Sequence, residues 1–313
     1  MSAVRIATTQ YLHTLGVINK SAAQDGFDYD VTVAKSIDEA TLRMIAGDFD
    51  VGECSFATYL QICNQDSDKP TGQRFIALPV FAKKLVSQYA FCRDSDTLDG
   101  HGSLTGKRVA VPQFWVTAAI WHRWLMAQAG VAPGSVTWCP LSKDRIEGMP
   151  YPAALKFDWS LVGRKPAELL RDKEVDCFIY ARRPDDMRGL RYLSRKPIES
   201  TMAQARESGV VPVTHVLILR RDRVTADPSL ARAVFDLFNA SFKAAEREAG
   251  NHIAQYLPLG DMQLDAVSAM LGGGWNGHGW KCNEKAMRTF LGAAIEQGFI
   301  GKLVLEDLFI KMD

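Results

Sequence analysis

The segment Val211–Arg221, VPVTHVLILRR, constrains this chain more than any other. It is an almost unbroken apolar run, with Pro212 near one end and the charged Arg220-Arg221-Asp222 cluster at the other. A run this short and this rich in Val, Ile and Leu reads as a strand buried on both faces, as in a mainly parallel sheet. One histidine, His215, lies near its start. An imidazole there needs a partner or a ligand, because an unpaired buried polar group costs free energy. The expectation is a strand that carries the chain back between two lobes, with His215 facing the cleft.

The rest of the sequence supplies lobes for such a strand. Val4–Thr8, Tyr29–Ala34, Val51–Cys54, Phe75–Val80 and Tyr89–Arg93 read as strands. Between them lie helical segments, one opened by Ser36 as N-cap with Glu39 completing a capping box. Asp94–Gly106 is a polar, Gly-rich connector. The rhythm restarts with Lys107–Val111, a helix over about 116–129, and strands at Val136–Cys139 and Val175–Ala181. Ser142–Arg164 has no clear period and reads as loop. From Asp227 the pattern is helical, with Pro228 at N1. Strands alternating with helices at this spacing predict an α/β fold. The predicted layout is lobe 1 over 1–92 and 215–313, with lobe 2 over 93–214 inserted into it. Two crossing strands, Tyr89–Arg93 and Val213–Arg220, would form a hinge.

Composition excludes several functions. With 37 Lys+Arg against 36 Asp+Glu the formal charge is +1, which gives no electrostatic case for nucleic acid or an anionic membrane. No stretch approaches the ~18 apolar residues of a membrane span. The N-terminus lacks the pattern of a secretory signal, and the six cysteines are scattered without C-x-x-C. Free thiols in a reducing cytoplasm are expected; a mature secreted chain is the alternative. The six histidines show no ligand spacing, so no metal set is expected. Gly272–Gly277 matches G-x-G-x-x-G, but a helical segment precedes it, which argues against a dinucleotide fingerprint.

Particular blocks narrow the reading. Glu53-Cys-Ser55-Phe-Ala-Thr58-Tyr59, Gly106–Pro112 with Thr117–Trp121, and His215-Val-Leu-Ile-Leu-Arg-Arg221 resemble the 4,5-dihydroxyphthalate decarboxylase family, built on the type II periplasmic-binding-protein fold. The resemblance spans nearly the whole chain. It implies a cytoplasmic decarboxylase of a small aromatic carboxylate that works without an organic cofactor, and it leaves homo-oligomerisation open. Two departures stand out. Val86-Ser87, after Lys83-Lys84, replaces an Arg-His pair of the family, and Trp275-Asn-Gly-His278-Gly279 replaces Trp-Pro-Tyr-Gly.

Against that background the candidate residues take roles. Loss of CO2 from an arene is easier once the carbon bearing it is protonated, and histidine titrates near neutrality. His215 is therefore the expected proton donor, with a structural, strand-capping histidine as the alternative. Glu53 would accept from a ring hydroxyl or orient His215, or else be a solvated or capping carboxylate. Ser55 and Thr58 open a helix that suits an anion, although simple N-capping is equally open. Gln113, Trp115 and Thr117 form the equivalent turn of the second lobe, with Thr117 on a carboxylate. Trp115 and Phe81 are expected to sandwich the ring. Arg182 offers a bidentate grip on a carboxylate, with Lys84 as a weaker substitute. His278 is either a site residue or a surface one. The rival function is a binding protein that captures an aromatic or other small organic anion and catalyses nothing.

Overall fold

The computed structural model describes residues 3–69, 72–149, 151–272 and 275–313. In chain order its strands are β1 (Val4–Thr8), β2 (Tyr29–Val33), β3 (Val51–Ser55), β4 (Phe75–Lys83), β5 (Ala90–Arg93), β6 (Arg108–Val111), β7 (Thr137–Pro140), β8 (Lys156–Phe157), β9 (Cys177–Ile179), β10 (Leu190–Tyr192) and β11 (Val213–Arg220). Its helices are α1 (Leu15–Ile18), α2 (Ile37–Ala46), α3 (Phe56–Asp66), α4 (Thr117–Gln128), α5 (Pro166–Arg171), α6 (Pro197–Ser208), α7 (Arg221–Ala226), α8 (Ser229–Tyr256), α9 (Gly260–Leu271), α10 (Glu284–Glu296) and α11 (Leu305–Leu308). Gly273 and Gly274, in the middle of the G-x-G-x-x-G match, lie outside the described residues.

The chain forms two units. The first comprises Met1–Lys83, Val213–Arg288 and Leu303–Asp313; the second comprises Lys84–Pro212 and Thr289–Lys302. Two features differ from the layout expected from sequence. β5 belongs to the second unit, because it hydrogen-bonds to β9 and β10; the chain therefore changes unit at Lys83/Lys84 rather than after residue 92. The C-terminal region is also shared. Phe290 and Phe299 pack on Trp121 and Trp115, at ring-centroid distances of 5.1 and 4.7 Å, which draws 289–302 into the second unit.

In the first unit the strand order is β2-β1-β3-β11-β4. β1 runs parallel to β2 and β3, whereas β11 is antiparallel to both β3 and β4. The organising strand is thus buried on both faces as its composition requires, but not in a parallel setting. Leu217 and Leu219 join Ile6, Val51, Val234, Phe235 and Phe238 in one core. Val216 and Ile218 are buried on the opposite face, where α3 packs on β11. Each such side chain contributes roughly 1.5–3 kcal/mol of burial free energy. α2 starts as its sequence predicts. Ser36 Oγ accepts the Glu39 N–H at 3.2 Å, but Glu39 Oε2 takes the N–H of Lys35 at 2.9 Å instead of closing the box on Ser36. Gly47, at φ 89°, ends α2 in the left-handed conformation that a side chain would strain, and the chain turns directly into β3.

The second unit has the order β10-β5-β9-β6-β7-β8, with β6 parallel to β7 and β9. β8 and β10 fall where the sequence shows no strand pattern: they are two and three residues long, too short for alternation to register.

Candidate active site

One edge of the first sheet gathers the polar residues. β1, β3 and β4 end there and β11 begins there, because β11 runs against its neighbours. Ligands of open α/β sheets collect beyond the carboxyl ends of strands. β11 and β3 are registered with His215 opposite Ser55 and Leu217 opposite Glu53. Alternation then puts Glu53, Ser55 and His215 on one face, with Glu53 diagonal to His215 and within side-chain reach.

His215 Nδ1 lies 2.8 Å from Glu53 Oε1. A carboxylate only accepts, so Nδ1 carries the hydrogen and Nε2 is left as the nitrogen that can exchange a proton. The second oxygen, Oε2, accepts from Thr9 Oγ1 at 2.7 Å, from the Thr9 N–H at 3.1 Å and from Thr8 Oγ1 at 3.3 Å. Glu53 is only 6% exposed. Burial pushes its carboxyl up, but the hydrogen bond and charge of His215, with the two bonds from Thr9, outweigh that and hold it below the usual carboxylate range. The His215 side chain keeps 17% of its surface. A void of about 10 Å³ adjoins the pair, lined in part by Thr8, His13, Phe81 and Phe238. That is room for about one water molecule. An aromatic ring does not fit there, so it would have to meet His215 from the exposed side.

Neighbouring rings continue the edge. Tyr11 stands 6.0 Å from His215, His13 stacks on Tyr11 at 5.4 Å, His278 meets His13 edge-on at 6.4 Å, and Phe242 lies 4.8 Å from His278. His278 Nδ1 accepts the N–H of Phe81 at 3.2 Å, which places its hydrogen on Nε2. That atom is buried and has no hydrogen-bond partner among the described residues. Burial, then the charges of His13 and Lys83, push this imidazole down to about 3. Burial also lowers His13. Lys83 Nζ donates to the carbonyls of Trp275 and Gly277 at 2.8 and 2.7 Å, fixing the loop that carries His278; burial brings this ammonium down to about 8.

The first unit therefore brings together Glu53, Ser55, Phe81, His215 and His278, and Thr58 lies in α3 of the same unit. Ser55 and Thr58 are both buried, and Ser55 is the N-cap residue of α3 without capping it through its side chain. Phe81 differs from expectation. Its ring is 3% exposed and packs 6.1 Å from Phe309, so it offers a backbone N–H rather than a stacking face. Sequence reasoning passed over Thr8, Thr9, Tyr11, His13 and Lys83. The available signal was position: four of them immediately follow or end β1, and Lys83 ends β4.

Lys84, Gln113, Trp115, Thr117 and Arg182 lie in the second unit. Thr117 is the buried first residue of α4 and Gln113 is half-buried in the turn before it. Trp115 is 4% exposed, wedged against Phe114 and Phe299 at 4.6 and 4.7 Å, and its N–H is held by Asp144 Oδ1 at 2.7 Å. Arg123 lies 5.0 Å from the same ring. Trp115 is thus a core residue, because the apolar and cationic neighbours of its own unit cover it. Lys84 Nζ donates to the Ala181 carbonyl at 2.6 Å. Burial, followed by the charge of Arg182, lowers this ammonium. Arg182 itself is exposed, and neither cation forms an ion pair with a described residue. His101, in the connector between glycines, meets the buried His122 at 2.9 Å, beside a 280 Å³ cavity. Among the described residues no group of three or more His, Cys, Asp or Glu is arranged to hold a metal, and no helix is long and apolar enough to cross a membrane.

Comparison with known proteins follows the same lines. No protein-family model matches the chain. It is 25% identical over 301 residues to a protein of Comamonas testosteroni described as 4,5-dihydroxyphthalate decarboxylase, covering 91% of this chain and 89% of that one. A Pseudomonas putida protein of the same description is 26% identical over 136 residues, 42% of this chain and 50% of its own. Among solved structures, the alkanesulfonate-binding protein SsuA of Xanthomonas axonopodis pv. citri superimposes with a TM-score of 0.59 at 14% identity, covering 100% of this chain and 99% of that one. The periplasmic aliphatic sulphonate binding protein SsuA of Escherichia coli gives 0.59 at 12% identity, covering 99% and 97%. The chain therefore has the type II periplasmic-binding-protein fold and, along nearly its whole length, resembles 4,5-dihydroxyphthalate decarboxylases.

Proposed function

We propose that this protein decarboxylates a hydroxylated aromatic carboxylic acid, 4,5-dihydroxyphthalate or a close analogue, with His215 as the proton donor. The observation that carries the reading is the Glu53–His215 pair at the strand edge, with Nδ1 committed to the carboxylate and Nε2 left for exchange. The imidazolium gives its Nε2 proton to the ring carbon that bears the carboxylate, while a hydroxyl para to that carbon supplies electron density. The carbon–carboxylate bond then breaks, its electron pair restores the aromatic ring, and CO2 leaves. His215 ends neutral and regains a proton from water, so the overall step consumes one proton. Glu53 holds the imidazole in place and provides a counter-charge while the ring is protonated. From 4,5-dihydroxyphthalate the product is 3,4-dihydroxybenzoate.

A second reading has a specific observation behind it. Two solved structures that share the fold are described as alkanesulfonate- and aliphatic sulphonate-binding proteins; on this reading the chain would capture a small organic anion and release it unchanged. Incubation with 4,5-dihydroxyphthalate and a panel of hydroxybenzoic acids, followed by CO2 release and ultraviolet spectra, separates the two. Turnover that disappears in His215→Asn supports the enzyme. Tight binding without CO2 release across the panel leaves only the carrier.

A further inference from the structure

We infer that Tyr11 is the residue against which the substrate's aromatic ring rests. The inference builds on the proposed decarboxylation and adds a specificity-determining residue to it. Phe81 and Trp115 are 3% and 4% exposed and face other rings of their own units. Tyr11 is 37% exposed and its ring centroid lies 6.0 Å from that of His215 at a tilt of 40°. The adjoining void of about 10 Å³ is too small for an arene, so an arene reaches His215 across the exposed surface to which Tyr11 belongs.

The loop that carries Tyr11 is organised in advance. His13 backs the ring in a nearly parallel stack, 12° between planes. The Tyr11 N–H is held by Thr14 Oγ1 at 3.0 Å, and Thr14 Oγ1 donates to the Thr9 carbonyl at 2.8 Å. Thr9 is also the residue that fixes Glu53, so one short loop sets the positions of both the ring platform and the proton-donating pair. Ser241 of α8 donates to the His13 carbonyl at 2.7 Å. That contact depends on Gly16, where an added Cβ would come within 2.8 Å of Ser241 Oγ. An aromatic face presented by a rigid loop distinguishes flat rings from saturated ones, because aromatic pairs attract beyond the area they bury.

The test is calorimetric binding of two probes, phthalate, which lacks the hydroxyl that activates the ring for decarboxylation, and its saturated counterpart cis-cyclohexane-1,2-dicarboxylate, to wild type, Tyr11→Leu and Tyr11→Phe. Tyr11→Leu should weaken the aromatic probe about fivefold relative to the saturated one, and Tyr11→Phe should restore the preference. An unchanged ratio in Tyr11→Leu overturns the inference, as does equal loss of both probes in both variants. Failure of the wild type to bind the aromatic probe also overturns it. Phthalate binding is read without turnover, so an aromatic preference that depends on Tyr11 but is accompanied by no CO2 release from 4,5-dihydroxyphthalate or the hydroxybenzoic acids would sink the decarboxylase reading and leave the platform standing.

Discussion

His215 and His101 each meet one polar partner at hydrogen-bond distance, Glu53 at 2.8 Å and His122 at 2.9 Å, in different units of the chain. The two pairs respond to burial in opposite ways. In the first, the partner is a carboxylate fixed by Thr9 and held ionised below its usual range, so the pair has a place for a positive charge. In the second, the partner is another imidazole. Burial lowers His101 to about 4; burial and then the charge of His101 hold His122 well below its ordinary value. In the proposed function the first pair carries a proton to the substrate, whereas the second is a hydrogen-bonded strut of two imidazoles held low by burial. What a half-buried histidine can do is decided by its partner more than by its depth.

The strongest way to break this comparison is to remove each ring in turn. His215→Asn should lower kcat for CO2 release by about 10²–10⁴, the range general acid catalysis supplies, with KM nearly unchanged. His101→Asn should leave kcat within about twofold, since its ring serves packing. Steady-state kinetics on the two variants decide the matter. Equal losses would mean that the carboxylate partner confers nothing special, and the assignment of His215 as acid would fall. Glu53→Gln sharpens the point. It keeps the shape but removes the counter-charge, and should cost kcat heavily while the tryptophan fluorescence of the folded protein is unchanged.

Much of this contrast could be read from sequence one residue at a time, but not in pairs. The strand carrying His215 was visible because apolar runs of its length have few other uses, and Glu53 was marked by ending a strand before a helix. Their meeting is only one of several roles the sequence leaves open for Glu53: they are 162 residues apart, and the β3–β11 register is what puts them on one face. The direction of β11 was equally hidden, since burial on both faces suits a central strand running either way. Tyr11 and His13 sit at a 3-10 turn over Leu12–Thr14 that leads into α1 and leaves Tyr11 37% exposed, a geometry too short for any sequence period to mark. Phe81 and Trp115 were placed on a ligand because aromatics near strand ends can face either way, and their rings turned inward. The unit boundary was missed because β5 finds its partners in β9 and β10, some ninety to a hundred residues further on.

The pH dependence of stability separates the pairs in a second way. His101 and His122 have folded values below that of the unfolded chain, near 6.5. The unfolded chain therefore binds more protons between about pH 6.5 and 4, and stability falls as pH drops through that window. Glu53 has a folded value below its unfolded one, near 4.3; its contribution is complete above that pH and is lost only as pH falls through the lower folded value. Urea denaturation between pH 7 and 4.5 should show stability falling steadily as pH drops, a slope due to the imidazole pair. His101→Asn should flatten that slope and Glu53→Gln should leave it in place. A slope that survives His101→Asn and vanishes in Glu53→Gln would reverse the roles given to the two pairs.

The smallest expected effect tests what holds the carboxylate. Thr9 supplies two of the three bonds to Glu53 Oε2, at 2.7 Å from its hydroxyl and 3.1 Å from its N–H, and Thr8 supplies the longer third at 3.3 Å. Thr9→Val keeps the shape and the N–H but removes the shorter bond, a change worth roughly 1–2 kcal/mol at a buried charged acceptor. If Glu53 positions His215, part of that cost should appear in kcat as a loss of about three- to tenfold, with KM unaffected. Thr8→Val should stay within about twofold, because its bond is long and its hydroxyl also turns toward the Thr9 carbonyl. The variants need measuring together, since their order matters more than either value. A larger loss from Thr8→Val, or a loss in KM alone, would mean that Glu53 is held for the sake of the fold and that the proton-donating geometry is set by some other contact.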